Sequence, residues 1–234
     1  MDADQAILRN KVLAGMPASD FARLRRNLEM VALPLRKQLE VRHRRTEFVY
    51  FPESGIASMV VTGGSQHTVE VGMIGRESMT GHAVVMASER SAHEIFMQGP
   101  GTGWRIGAAE LTAAIEESAA LRHLLLRHVY VFQIQMSFTA LANARYKIDE
   151  RLARWLLMCQ DRTGDADLPL THEFLSIMLG VRRPGVTSTL NRFEERRLIR
   201  ARRGFITILN RPALEDSANG SYGAPEAEYE RLFG

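Results

Sequence analysis

The chain has 234 residues, 45% of them hydrophobic and 24% charged, with a formal net charge of +3. That is enough apolar material for a core in each of one or two domains, and it argues against a disordered chain. No apolar run approaches the roughly 18 residues of a membrane span, the opening MDADQAILRNK lacks a signal-peptide core, and the single cysteine, Cys159, excludes an internal disulfide or a four-cysteine metal site within one chain. The expectation is a cytoplasmic protein with no membrane partner and no cofactor.

Residues 4–29 read as two short helices broken at Gly15-Met16-Pro17, with Leu8, Val12 and Leu13, then Phe21, Leu24 and Leu28, as apolar positions. From Met30 the texture changes to short β-rich pieces punctuated by Pro34, by Pro52-Glu53-Ser54-Gly55 and by Gly63-Gly64. HTVEVGMIG alternates between two faces, so the region predicts an antiparallel roll or sandwich. The run Arg42-His43-Arg44-Arg45 is either a solvated strand end or a landing place for an anion. Between Gly75 and Gly81 the segment GRESMTG, followed by Glu89-Arg90-Ser91, offers the elements of a phosphate cradle in Gly75, Glu77, Ser78, Arg90 and Ser91. Plain loop chemistry explains the same residues. His67, His82 and His93 raise the question of a metal-bearing roll, but no His-x-His pair with a nearby carboxylate is present, and no metal is expected.

After the strand-like TGWRI, the stretch past Gly107 contains neither proline nor glycine and reads as mostly helix. Its later part, Ser118 to Lys147, would span about 45 Å at ~1.5 Å per residue. Leu125, Val129, Phe132, Met136, Thr139 and Asn143 fall at spacings of 4, 3, 4, 3 and 4, an a/d seam that predicts dimerisation, while packing on the roll would bury the same stripe. Ile148 starts another helix, with Asp149 as N-cap, Leu152, Trp155, Leu156 and Cys159 inward, and an end at Gly164. The boundary between two domains, 1–147 and 148–234, therefore falls at the join of these helices.

Leu170 to Leu209 carries the most specific pattern. Thr171 is placed to cap a helix bearing Phe174, Leu175, Met178 and Leu179, and Gly180 can turn the chain. A second helix starts near Arg182, accepts Pro184 in its first turn, and buries Val186, Leu190 and Phe193 at i, i+4, i+7. On the opposite face stand Pro184, Thr187, Ser188, Asn191, Arg192 and Glu195, with Arg183 at the N-terminal flank. LIRARRGFITIL then places Arg202-Arg203-Gly204 at a hairpin tip. Between Arg182 and Arg203 eight arginines face Glu194 and Glu195, a local net of +6 suited to displacing counterions from a phosphate backbone. Double-stranded DNA is the partner this predicts, with Arg182, Arg183, Thr187, Ser188, Asn191 and Arg192 in the groove and Arg202 and Arg203 on flanking phosphates. A solvated basic surface around an ordinary helical hairpin is the alternative. Beyond Pro212 the chain turns acidic, and EAEYERLF predicts a terminal helix on the winged domain.

The order of short helices, roll, long helix and winged helix-turn-helix resembles the Crp/Fnr superfamily of bacterial transcription regulators over nearly the whole chain. The likeness is carried by VYFPESGIASMVVT with VEVGMIGRESMTG, by ERLARWLL, and by LTHEFLSIMLGVRRPGVTSTLNRFEERRLIRARRGFITI. It implies an α+β fold with a cyclic-nucleotide-binding-like antiparallel β-roll, a long central dimerisation helix and a winged helix-turn-helix. It also implies a homodimer on a near-palindromic operator, an effector of unknown identity acting through the long helix, and RNA polymerase as a further partner. Where cyclic-AMP-binding members have Gly-Glu and then Arg-Ser, this chain has Gly75-Arg76-Glu77 and, after a longer gap, Arg90-Ser91, so no tight cyclic-AMP response is expected. Pro184 and Ser188 stand where many members read bases with Glu and Arg, so the usual half-site is not carried over. The competing class is an enzyme, or a regulatory subunit whose roll binds a small molecule and whose C-terminal domain docks protein; no catalytic spacing supports it.

Overall fold

The computed structural model describes residues 3–64 and 68–234. The chain opens with three short helices rather than two, α1 (Ala3–Ala6), α2 (Lys11–Ala14) and α3 (Ala18–Leu24). The extra break comes from Asn10. Its side-chain oxygen accepts the N–H groups of Val12 and Leu13 at 3.1 Å, while its amide donates to the carbonyls of Pro52 and Ser78 at 2.9 Å. One buried side chain thus caps α2 and fastens it to the roll.

Seven strands follow: β1 (Glu29–Leu33), β2 (Gln38–Glu40), β3 (Phe48–Pro52), β4 (Ile56–Thr62), β5 (Thr68–Ile74), β6 (Glu94–Gly99) and β7 (Gly101–Gly107), with a short helix α4 (His82–Val85) between β5 and β6. They pair antiparallel in two sheets, β1-β7-β3 and β2-β6-β4-β5. Inward positions supply Leu33, Tyr50, Met59, Ile74, Ile95 and Met97 to a common core.

The helical stretch is split at Ser118, between α5 (Ala108–Glu117) and α6 (Ala119–Arg145). Ser118 is extended, accepts the N–H of Leu121 at 3.2 Å and donates to Asp20 at 3.0 Å, so a cap and a tertiary contact break a run that contains no proline or glycine. At 27 residues α6 is about 40 Å long.

The expected dimer seam faces the other way. Leu125, Val129 and Phe132 are only 0%, 5% and 4% exposed and lie in the cores of their own roll, and Met136 packs against the same cluster. Thr139 accepts a hydrogen bond from Arg154 and donates to Gln135, and Asn143 accepts one from Arg151. A stripe of period 3.5 states that a face is buried but not by what, and the roll sits nearer than any partner. Under Phe132 lies Gly72, where an added Cβ would stand 2.4 Å from the ring.

Helix α7 (Ile148–Thr163) is capped at Lys147, not Asp149. Glu150 reaches back to the Lys147 N–H at 2.7 Å, and Gly164 ends the helix with φ +76°. The remainder is β8 (Asp167–Leu168), α8 (His172–Met178), α9 (Arg183–Glu195), β9 (Ile199–Arg202), β10 (Phe205–Ile208), α10 (Arg211–Ser217) and α11 (Ala224–Phe233), with a sheet in the order β8-β10-β9. Leu152, Trp155, Leu156, Val186, Leu190, Phe193 and Ile206 build this core, and Ile56 and Met73 of the roll join it. The terminal helix α11 lies on α6, not on the winged part as expected. Its aromatic pair Tyr229 and Phe233, four residues apart, finds His128, which stacks on Phe233 at 4.0 Å, and Arg127 donates to the Leu232 carbonyl.

Because Phe132 is a core residue, Phe132→Ala should lower stability by about 3–5 kcal/mol, read from denaturant unfolding. A loss under about 1 kcal/mol, with the association state alone changed, would return it to a seam.

Candidate nucleic-acid interface

The reading head is assembled by caps and one buried stripe. The Thr171 hydroxyl accepts the Phe174 N–H at 3.2 Å and starts α8; Leu175 and Met178 anchor it, and Gly180, at φ +60°, reverses the chain. Pro184 occupies the first turn of α9, where no backbone donor is needed. With Val186, Leu190 and Phe193 fully buried, Arg182, Arg183, Pro184, Ser188 and Asn191 are left exposed together.

Two of the expected DNA contacts have internal partners instead. Thr187 is half-buried, with its hydroxyl 3.0 Å from His172 Nδ1, and so ties α9 to α8. Arg192 grips Asp149 from both sides, Nη2 at 2.5 Å from Oδ1 and Nε at 3.2 Å from Oδ2, and the buried Thr189 donates to the same carboxylate at 3.0 Å. Asp149, expected as a cap, instead fixes the recognition helix to the start of α7. On the wing, Arg202 and Arg203 are exposed beside the Gly204 turn, and Phe205 pairs opposite Arg202. Glu194 accepts the Ala201 N–H at 2.7 Å, so one of the two acidic residues of this region braces the wing.

Of the residues expected to hold an effector, Gly75, Glu77 and Ser78 share one turn, and Arg90 and Ser91 stand apart from it. Glu77 meets Arg162 of α7 at 2.9 Å, with side chains 19% and 6% exposed, and Arg162 also donates to the Met158 carbonyl. Gly75 makes room for this pair, since a Cβ there would come within 2.7 Å of Arg162 Cβ. Ser78 is buried, its carbonyl held by Asn10. Arg90 is elsewhere: exposed, it donates to the His43 carbonyl at 3.3 Å, and the buried Ser91 accepts the His93 N–H at 3.1 Å. Next to Glu77 and Ser78 the chain leaves a cavity of about 560 Å³ between the turn Arg76–Ser78, α6, the end of α7 and α11. Phe132, Gln135, Lys11 and Tyr229 are among its walls; neither Arg90 nor Ser91 is. Arg162, on the inward side of α7 three residues beyond Cys159, was the one signal in the sequence, an arginine on a buried stripe.

His82 is buried with its ring 4.2 Å from Phe132, and burial, aided by His93, lowers its pKa to about 4. Among the described residues no group of histidine, cysteine and carboxylate side chains is placed to hold a metal, and His67 lies outside them. No helix among them is long and apolar enough to cross a membrane.

Residues 150–217 match the family model of the Crp-like helix-turn-helix domain. No curated protein sequence matches the chain. Among solved structures it is similar to FixK2 of Bradyrhizobium japonicum, at 13% identity and a TM-score of 0.70 over 81% of this chain and 96% of that one. It is also similar to a Crp-family transcriptional regulator of Thermus thermophilus, at 14% identity and a TM-score of 0.69 over 83% and 99%. The c-di-GMP responsive global regulator CLP of Xanthomonas campestris matches at 14% identity and a TM-score of 0.65 over 82% and 100%. At these identities the likeness is one of fold.

Breaking the Glu77–Arg162 pair leaves a charge buried without its partner, so Glu77→Gln should cost about 3–5 kcal/mol in denaturant unfolding. Arg90→Ala, at the surface, should change stability by less than about 0.5 kcal/mol. A cost for Glu77→Gln no larger than that for Arg90→Ala would mean that the Glu77–Arg162 pair is not buried as described.

Proposed function

We propose that this chain, built on the Crp/Fnr fold and carrying a Crp-like helix-turn-helix domain, is a sequence-specific DNA-binding transcription regulator acting as a homodimer. The observation that carries the reading is the division of α9 into a fully buried stripe and an exposed face of Arg182, Arg183, Ser188 and Asn191, with Arg202 and Arg203 beside it on the wing. Short polar side chains and arginine suit base edges in the major groove, and wing arginines suit phosphates. Thr187 and Arg192 serve the same purpose indirectly, by holding α9 in place.

A dimer requires a seam other than the one first expected, and the outer face of α6 supports one. Leu126, Tyr130 and Leu141 are 41%, 49% and 44% exposed. Leu126, Tyr130, Gln133, Ser137 and Ala140 repeat the 4, 3, 4, 3 spacing one residue along from the buried stripe. At one end His123, Leu126, Arg127, Tyr130 and Leu232 line an open groove. The cavity beside Glu77 is the place for an effector, because it touches the roll, α6 and the reading domain at once. A cyclic nucleotide is a poor fit, since Glu77 is engaged by Arg162 and Arg90 lies outside the cavity walls. RNA polymerase is the further partner of such a regulator.

Selection of operators from genomic fragments, followed by titration, tests the function. Arg183→Ala should weaken operator binding by about 1–3 kcal/mol and leave random duplex nearly unaffected, whereas Arg203→Ala should weaken both and flatten the salt slope by about one. Equal affinity of the natural chain for operator and random duplex would end this reading. Tyr130→Glu should sediment as a folded monomer; a folded dimer would move the seam elsewhere.

A further inference from the structure

The first helix of the reading domain is fastened to the roll by a buried carboxyl group set between an indole N–H and a hydroxyl. Glu70, on β5, is buried. Its Oε1 accepts the indole N–H of Trp155 on α7 at 2.7 Å, and its Oε2 lies 2.5 Å from the hydroxyl of Ser58 on β4. Ser58 also touches Oε1 of Gln98 on β6. A hydroxyl has one proton and cannot donate to two oxygens at once. Two arrangements satisfy both contacts: a proton on Glu70, with Glu70 donating to Ser58 and Ser58 donating to Gln98, or a turned Gln98 amide whose Nε2, otherwise without a partner, donates to Ser58 while Ser58 donates to Glu70. Burial of the carboxyl favours the first.

The charges around this group come from three elements. Arg154 and Arg162 of α7 act on it through space. Arg162 is held by Glu77 of the turn after β5, and Arg154 donates to Thr139 of α6. Glu226 of α11 acts on both arginines. Cys159, also on α7, is buried, and its thiol is pushed well up and stays neutral. Burial is the largest influence on Glu70 and lifts its pKa from 4.5 to about 7, against the hydrogen bonds of Ser58 and Trp155 and the fields of Arg162 and Arg154.

We propose that Glu70 and Trp155 form a proton-operated latch between the roll and the reading domain, closed when the carboxyl is neutral and weakened when it ionises. The latch concerns only how the two halves are joined, so it stands or falls apart from the DNA-binding reading. With α7 lifted away, Glu70 meets water and titrates near 4.5; with α7 docked it titrates near 7. Docking is therefore at full strength below about pH 4.5, falls about tenfold per unit as pH rises toward 7, and levels off about 300-fold weaker above it.

Hydrogen exchange of the Trp155 indole, corrected for intrinsic rate and followed by NMR in the full chain, reads the opening directly. Between about pH 5 and about pH 8 its protection should fall on the order of 100-fold. In Glu70→Gln, whose amide can still accept from the indole and donate to Ser58, protection should be independent of pH. A Glu70→Gln chain that follows the natural pH curve would overturn the latch, as would an equal loss of protection at Trp104, which would mean opening of the whole chain. Should Glu70→Gln not fold, the carbon-13 shift of the Glu70 carboxyl decides: a midpoint near 7 supports the latch and one between about 4 and 5 overturns it.

Discussion

The structure depends on the burial of one face of α6 against its own roll. Leu125, Val129 and Phe132 close the bottom of both sheets, and Gly72 lies flat so that the Phe132 ring can approach β5. Fully burying three such side chains is worth about 1.5–3 kcal/mol each. A face held that strongly is not available to a second subunit. The rest of the architecture follows from this commitment: the outer face of α6 is what remains for association, His128 on its flank is what α11 stacks upon, and the space between α6 and α7 becomes the cavity.

Where apolar periodicity and capping agreed, the sequence was a good guide to the fold. Thr171, Gly180, Pro184 and the Val186, Leu190, Phe193 stripe describe the reading head as it is built, and the wing turns at Arg203-Gly204 as its flanking strands require. Local rules suffice there because the caps and turns that start and stop these elements are closed between residues close in the chain. Asn10 shows the opposite case. Its cap is a local feature, but its amide reaches Pro52 and Ser78, and this long-range pair decides that two helices become three. Ser118 breaks the long helix in the same manner, through Asp20.

The site was less legible than the fold. Exposed polar residues of a helix can be read from a wheel, and Arg182, Arg183, Ser188 and Asn191 stand where the wheel puts them. A wheel does not show which of them find partners on a neighbouring helix, and Asp149 takes Arg192 and Thr189 from 43 and 40 residues away. The effector set was legible only in part for a related reason: Glu77 and Ser78 line the cavity, whereas Arg90 and Ser91 do not. Glu77 and Arg90 look like a carboxylate and an arginine awaiting a ligand, yet a buried carboxylate needs a cation, and Arg162, 85 residues beyond Glu77 in the chain, supplies it.

These two pairings lie at opposite ends of one rigid element. Helix α7 holds Asp149 in its first turn and Arg162 in its last, 13 residues or about 20 Å apart. Its middle turns are packed on both sides, by Met73 of the roll and by the core of the reading domain. A packed helix of this length moves as a unit, so under the proposed effector control a displacement of Glu77 at the cavity wall would be carried along α7 to Asp149. There the displacement meets Thr189 and Arg192, and through them α9. Coupling between cavity and recognition helix therefore needs no chain of side-chain rearrangements. It needs only that α7 have two positions of similar free energy, and the bonds that set that balance are those joining α7 to β5 and to the turn after it.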